Sequence, residues 1–113
     1  MNWNRIDVEL TGNRVFLEEL DEIILSCVDE AQKEWWHNTA HITTITDRLH
    51  VNSKLFDIRL FVNSSYFKPN GHLVIEMEYG TFDLPKDEFQ KGFEKIFENY
   101  RDKISGINYK YYR

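Results

Sequence analysis

Residues 14–36 read RVFLEELDEIILSCVDEAQKEWW, and their apolar side chains recur at steps of three and four residues. That spacing places them along one stripe of an α-helix. The stripe consists of Phe16, Leu20, Ile23, Ile24, Cys27, Val28, Ala31 and Trp35. The opposite side carries Glu18, Glu22, Asp29 and Lys33. The pattern predicts a long amphipathic helix, from about Arg14 to Trp36, with Asn13 as its N-cap.

Strand patterns flank this helix on both sides. Residues 5–10 alternate strictly, with Ile6, Val8 and Leu10 on one face, which predicts a half-buried strand. Residues 42–46 (ITTIT) are β-branched at every position, which favours a strand over a helix. Residues 56–62 and 73–79 alternate again, and the segment 68–71 between them predicts a tight turn. The three strands at residues 42–46, 56–62 and 73–79 are predicted to form an antiparallel meander with one solvent-facing side.

The chain ends with a second helix and a short strand. This helix is predicted from Pro85, in its first turn, to about Ile104, and Ser105–Gly106 is its expected C-terminal stop. Residues 107–111 then alternate as a last strand. The order β-α-β-β-β-α-β predicts an α+β fold: a two-layer sandwich with a mostly antiparallel sheet and two helices packed on one face. The first and last strands either pair with each other or flank the meander.

Length and composition indicate one globular domain that spans residues 1–113. Hydrophobic residues make up 42% and charged residues 29% of the chain, a balance that excludes a disordered protein. Cys27 is the single cysteine, so no internal disulfide can form. No leader-like segment or long apolar run is present. We therefore expect a cytoplasmic protein that does not associate with a membrane.

The net charge of −5 is distributed unevenly. Residues 1–38 hold nine acidic and three basic side chains, whereas the remaining 75 residues hold ten and eleven. Because no cluster of Lys and Arg is present, we do not expect direct nucleic-acid binding. An acidic helix suits a basic protein partner, whose association it would accelerate by electrostatic steering. The same acids also serve simply to keep a surface helix soluble.

The histidines and the cysteine are weak candidates for chemistry. His37 and His41 stand four residues apart, but zinc needs three or four converging ligands. His50 and His72 would join them only if the fold brought all four together. Cys27 lies in the apolar stripe of the first helix, so we expect it to be buried and unreactive.

Paired carboxylates and one polar cluster complete the search for catalytic residues. Glu76 and Glu78 share one face of a strand, as the acids of a hydrolase can, although exposed glutamates are the commoner case. Asp47, Arg48 and His50 lie close in sequence without a specific spacing. We therefore predict no catalytic residue, no metal site and no cofactor.

Aromatic residues offer candidate binding anchors. Adjacent helical positions point about 100° apart, so Trp35 and Trp36 cannot both face the core, and Trp36 is expected at the edge. Phe61 is predicted on the solvent-facing side of its strand and Tyr66 in a hairpin loop. An outer aromatic patch or dimer interface is predicted from these two residues together with Trp3, Tyr109, Tyr111 and Tyr112.

The profile of a small, acidic, aromatic-rich α+β chain with one cysteine resembles that of bacterial immunity proteins and other small inhibitors, which block a toxin by binding it. The resemblance implies a non-enzymatic inhibitor that occludes a basic toxin or nuclease. Its predicted partner-binding residues are Glu18, Glu22, Asp29, Trp36, Phe61, Glu76 and Glu78. The alternatives are a small enzyme or ligand-binding domain, with a pocket between sheet and helices that uses His50, Asp47 or His41, and a homodimeric structural subunit.

Overall fold

The computed structural model describes residues 3–34, 39–51, 60–80 and 86–112. Five strands are present in this part of the chain: β1 (Trp3–Gly12), β2 (Ala40–His41), β3 (Leu60–Phe67), β4 (Leu73–Gly80) and β5 (Ile104–Tyr111). The helices are α1 (Arg14–Gln32), α2 (Ile42–Arg48) and α3 (Lys86–Ile96), and a 3₁₀ turn follows at Glu98–Tyr100. The predicted mixed α+β fold is confirmed, with one helix more than expected.

The strands form one antiparallel sheet in the order β2-β3-β4-β1-β5. β1 lies inside this sheet, with Val8 opposite Ile75 of β4 on one side and Tyr109 of β5 on the other. The first and last strands therefore pair with each other, and β1 also pairs with the β3–β4 hairpin. β1 is therefore an interior strand of the sheet, next to the end strand β5, and β4 is the central strand.

The hydrophobic core lies between one face of the sheet and the helices. Ile6, Val8 and Leu10 of β1 are fully buried. Phe89 and Phe93 of α3 stack on each other with ring centroids 5.8 Å apart, and both are 1% exposed. The buried side of α1 consists of Phe16, Leu17, Leu20, Ile24, Cys27 and Val28. Asn13 caps α1 as predicted, because its side chain accepts the backbone N–H of Phe16 at 3.0 Å.

The prediction of a strand at residues 42–46 is wrong, since this segment begins the helix α2. Ile42, Ile45, Thr46 and Leu49 are all buried and stand at helical spacing, so a helix covers the core with one face. The Thr46 hydroxyl donates to the backbone carbonyl of Thr43 at 3.0 Å, which satisfies a buried polar group inside the helix. Burial thus outweighs the strand preference of β-branched residues.

Three further boundaries differ from the sequence-based expectation. Tyr66 lies within β3 rather than in a loop, and the turn that follows has Gly71 at φ 87°, as expected. Ser105–Gly106 lies inside β5, because α3 ends at Ile96 and the 3₁₀ turn returns the chain to the sheet earlier than predicted. Most of the predicted 56–62 strand and the end of the predicted 14–36 helix lie outside the described residues.

Candidate functional site

The solvent-facing side of α1 carries acidic and apolar side chains together. We define the α1 stripe as Val15, Glu18, Glu22, Leu25 and Asp29, which follow one another at steps of three and four residues. At about 100° per residue these side chains leave the helix within a sector of about 80°. All five are exposed, Val15 at 65% and Leu25 at 37%. The stripe is therefore a continuous surface in which carboxylates surround two exposed aliphatic groups.

α1 is fixed to the sheet from its opposite side. Leu20 and Ile24 are each 1% exposed and belong to the core. Asp21 accepts a hydrogen bond from the hydroxyl of Ser65 on β3, and Ser65 is itself buried. Because these contacts fix α1 to the sheet, the helix that carries the α1 stripe is already folded before a partner binds. Binding through this surface would cost little conformational entropy in the backbone.

Ion pairs neutralise only part of the α1 charge. The Nε of Arg14 lies 2.8 Å from Oε1 of Glu18, and Nη2 of Arg48 lies 2.8 Å from Oε1 of Glu30. The hydrogen bond to Glu30 raises the pKa of the Arg48 guanidinium. Glu22 and Asp29 form no ion pair with any other described residue. The middle and C-terminal parts of the stripe therefore keep uncompensated negative charge.

The sheet face turned away from the helices is also polar, but its charges pair with each other. Nε and Nη2 of Arg5 donate to the two carboxylate oxygens of Asp7 at 3.0 and 3.2 Å, and Nη2 also donates to Oε2 of Glu76 at 2.6 Å. The Tyr112 hydroxyl donates to Asp7 Oδ2 at 3.0 Å. The hydrogen bond to Asp7 raises the pKa of Arg5 above its ordinary value. This network holds Asp7 at 8% exposure with its charge balanced.

A second ion-paired group lies at the turn end of the same face. Nζ of Lys68 donates to Oε1 of Glu9 at 2.8 Å, and Nδ1 of His72 lies 2.7 Å from Oε2. The hydrogen bond from Lys68, and then that from His72, lower the pKa of Glu9. Tyr66 and Tyr112 flank an open groove of about 220 Å³ beside this group. Because Asp7, Glu9 and Glu76 already have basic partners, this face has less free charge than the α1 stripe.

The predicted partner-binding residues lie on two different surfaces. Glu18, Glu22 and Asp29 belong to the α1 stripe, on the helix layer. The other described members lie on the open sheet face. The sheet separates these two surfaces, so one flat contact area on a partner cannot cover both. Trp36 lies outside the described residues.

The sheet-face members of the predicted set are only partly available to a partner. Phe61 stands opposite Glu78 on the neighbouring strand, and its ring centroid lies 4.5 Å from that of His41. Phe61 and Glu78 are half-buried. Glu76 is the acid that accepts from Arg5. Glu76 is therefore already ion-paired, and Phe61 and Glu78 offer only part of their side chains to a partner.

The predicted outer aromatic patch is partly wrong. Tyr109 turns to the helix side, where it meets the rings of Phe89 and Phe93 edge-on at 5.9 and 6.2 Å. Tyr111 also faces that side, and its hydroxyl accepts a hydrogen bond from Gln90 at 2.9 Å. Phe61, Tyr66 and Tyr112 lie on the open face. Alternation in β5 places residues 109 and 111 on the core side.

Sequence reasoning missed two exposed apolar residues, Val15 and Leu25, but had already placed Tyr66 in the outer aromatic patch. Val15 and Leu25 are absent from the apolar stripe of residues 14–36, and that absence was the signal that they face solvent. Tyr66 is 44% exposed on the open sheet face. Its exposure depends on the register of β3, which shifts between Val62 and Ser64. A shift of one residue changes which face a side chain occupies.

The described histidines and Cys27 do not converge on one metal site. Cys27 is 2% exposed, as predicted, and burial raises the pKa of its thiol. The His41 ring packs against that of Phe61 in a tilted arrangement, whereas His72 contacts Glu9. Within the described ranges, no group of three or more His, Cys, Asp or Glu side chains could hold a metal ion. His37 lies outside those ranges.

One small cavity lies between the described helices and the sheet. It has a volume of about 10 Å³ and is lined by apolar residues and the buried Thr46. A cavity of that size holds at most about one water molecule and no organic ligand. Of the helices that the structure describes, none has both the length and the apolar character needed to cross a bilayer.

The chain was compared with known protein families, curated proteins and solved structures. No protein-family description, no curated protein and no solved structure matches the chain.

Proposed function

We propose that this chain is a non-enzymatic inhibitor of the immunity type, which binds a basic toxin or nuclease through the α1 stripe and occludes its site. One observation carries the proposal: Val15 and Leu25 are exposed on a helix whose opposite side already supplies the core. Neither residue is needed for packing on that side. Apolar side chains surrounded by polar ones are the usual form of an interaction surface.

Charge supports a basic partner. α1 holds six acidic residues and one basic residue, so its net charge of −5 equals that of the whole chain. The acids of Glu22 and Asp29 have no basic partner among the described residues and would be neutralised by Lys or Arg of a bound protein. Complementary charge of this kind accelerates association and makes it sensitive to salt. A nuclease, whose substrate is a polyanion, has a basic site of the required sign.

The aliphatic residues would set the lifetime of the complex. Leu25 lies between Glu22 and Asp29, so their carboxylates would form the polar rim around an apolar contact. Mutations at an interface act mainly on dissociation rates when they remove packed apolar groups. Trp36, four residues beyond the end of α1, stays a predicted additional anchor. The single, buried cysteine is in keeping with a cytoplasmic place of action.

The alternative of a ligand-binding or enzymatic pocket has less support. It required a polar cavity between sheet and helices that gathers His50, Asp47 or His41. The cavity of about 10 Å³ in that position is lined by apolar residues with Thr46. The open groove beside Tyr66 is polar, but its carboxylates are already paired. We therefore favour binding to a protein surface.

The test begins with capture of a partner on the tagged chain from native lysate and continues with association kinetics of the purified pair. The variant Glu22→Lys/Asp29→Lys reverses two charges of the stripe. The matched control Glu98→Lys/Asp102→Lys reverses two exposed acids near the C-terminal end of α3, so the net charge of both proteins is identical.

We expect the stripe variant to lower the association rate constant more than about tenfold, and the control to change it by less than about threefold. Leu25→Ser should instead raise the dissociation rate constant. Equal slowing by the two charge variants would mean that net charge alone acts, and an unchanged association rate constant in both would refute the steering mechanism.

A further inference from the structure

The turn between β3 and β4, residues 68–71 (KPNG), contains the one Asn-Gly pair in the sequence of this chain, Asn70 and Gly71. In such a pair the backbone nitrogen of the glycine can attack Cγ of the asparagine side chain. Glycine favours this reaction because it has no Cβ to block the approach, and asparagine is one of the thermolabile residue types. Asn70 is also exposed, so water has access to it. These features single out Asn70 as a position for spontaneous loss of its side-chain amide.

Three hydrogen bonds hold this turn closed. The N–H of Gly71 donates to the carbonyl of Lys68 at 2.9 Å, and the N–H of Lys68 donates to the carbonyl of His72 at 2.9 Å. Oδ1 of Asn70 accepts the N–H of His72 at 3.0 Å. Gly71 has φ 87°, the left-handed conformation that follows a type I turn in a three-residue hairpin loop. Both reacting groups, the Gly71 nitrogen and the Asn70 side chain, are therefore fixed in the closed turn.

The closed geometry keeps these two groups apart. Asn70 does not have a positive φ, which excludes a type II turn, and the third hairpin residue from Lys68 in a type I turn has ψ of about 0°. Ring closure requires rotation to a very different ψ, at which the Gly71 nitrogen lies against Cγ of Asn70. That nitrogen must also lose its proton, which the Lys68 carbonyl accepts in the closed turn. The folded turn therefore protects the asparagine.

We propose that Asn70 is a modification site of this chain, at which opening of the turn permits spontaneous deamidation. The nitrogen of Gly71 forms a bond to Cγ of Asn70, the Cγ–Nδ2 bond breaks, and ammonia leaves with the proton of the Gly71 N–H. Water then hydrolyses the cyclic imide at either of its two carbonyl carbons. The product is a mixture of aspartate and isoaspartate at position 70, and the reaction requires no oxidant, reductant or enzyme.

The product would alter the ion-paired group beside the turn. Lys68 and His72 contact the two carboxylate oxygens of Glu9 at 2.8 and 2.7 Å. A new carboxylate at position 70 stands two residues from each of these bases and adds one negative charge. The isoaspartate form also inserts a methylene group into the backbone of the turn, which disturbs its hydrogen bonds. The α1 stripe takes no part in this chemistry, so the proposal and the inhibitor function can fail independently.

The experiment incubates the full chain at mildly alkaline pH, in native buffer and in guanidinium chloride, and follows the products by mass spectrometry and anion exchange. The unfolded chain should lose the Asn70 amide at least about tenfold faster than the folded chain, because opening of the turn limits the reaction in the native state. Fragment spectra locate the modified residue. Asn63, which Ser64 follows, is the internal reference and should react more slowly than Asn70 in guanidinium chloride.

Two variants separate the chemistry from the turn. Pro69→Ala removes the ring that pre-sets the turn backbone, so the rate in native buffer should rise about two- to fivefold while the rate in guanidinium chloride stays at the wild-type value. Asn70→Gln keeps an amide but requires a larger ring, so the acidic product should no longer form at this position. Equal rates in the folded and unfolded wild-type chain, or an unchanged native rate in Pro69→Ala, would overturn the protection by the turn. An Asn70 amide that survives in the unfolded chain would overturn the site itself.

Discussion

Gly12→Ala should destabilise this protein strongly, because Gly12 ends β1 in direct contact with the turn before β5. An added Cβ would lie 2.1 Å from the backbone carbonyl oxygen of Lys103 and 2.9 Å from the Cα of Ile104, where an ordinary contact begins at 3.4 Å. The obstacle is backbone, so no side chain can rotate away. The same Lys103 carbonyl accepts the N–H of Asn13 at 2.8 Å. Movement of this turn therefore also disturbs the residue that caps α1.

The magnitude follows from these two contacts. Forcing extra volume into a packed site costs about 1–3 kcal/mol, and weakening the hydrogen bond adds about 1 kcal/mol. Replacing glycine lowers the entropy of the unfolded chain, which returns about 0.4–1 kcal/mol. The free energy of unfolding should therefore fall by about 2–3 kcal/mol. With a urea m-value of about 1.5 kcal/mol/M, the midpoint of unfolding should fall by about 1.3–2 M.

Urea unfolding followed by circular dichroism and tryptophan fluorescence measures this change. Gly106→Ala is the matched control, because its added Cβ would lie 3.7 Å from the Cβ of Thr11, an ordinary contact. Its midpoint should stay within about 0.7 M of wild type. The reasoning would be refuted if Gly12→Ala unfolded at the wild-type midpoint, or if the two variants lost the same stability.

Three other substitutions or titrations test the site and the core. The pKa of Glu9 is lowered in the folded state, so its ion pairs stabilise the fold at pH values above the ordinary pKa of 4.5. This contribution is lost as the pH falls through the folded pKa. Glu9→Gln should therefore flatten the dependence of urea midpoints on pH below 4.5, and an unchanged slope would argue against the pairing. The buried Cys27 thiol should react with a thiol reagent only at the rate of unfolding, and rapid reaction in the native state would contradict its burial. Leu20→Ala should lower the free energy of unfolding by about 2–5 kcal/mol, whereas Leu25→Ala should lower it by less than about 1 kcal/mol, because only Leu20 lies in the core. Calorimetry measures both losses, and equal losses would invalidate the assignment of the two helix faces.

Local patterns predicted the elements whose stability depends on nearby residues. The cap at Asn13, the apolar side of α1 and the turn before β4 are each defined by residues within one or two helical turns or a single hairpin. The acids of the α1 stripe were predicted from the same periodicity, because the side of the helix opposite the apolar side chains must face solvent. Val15 and Leu25 show that exposed apolar residues can be found as exceptions to the same periodicity.

What the sequence by itself determined is therefore the character of each face: which side of α1 is apolar, which residues of β1 alternate and where the chain turns. Only the tertiary structure decided that residues 42–48 form a helix, because the gain from burying Ile42, Ile45 and Thr46 together exceeds the strand preference of those residue types. It also decided that β1 lies between β4 and β5. The register of β3 and β4 places Phe61 and Glu76 on the open face, across the sheet from the α1 stripe. Strand order depends on contacts between segments far apart in the chain, and no local pattern contains them.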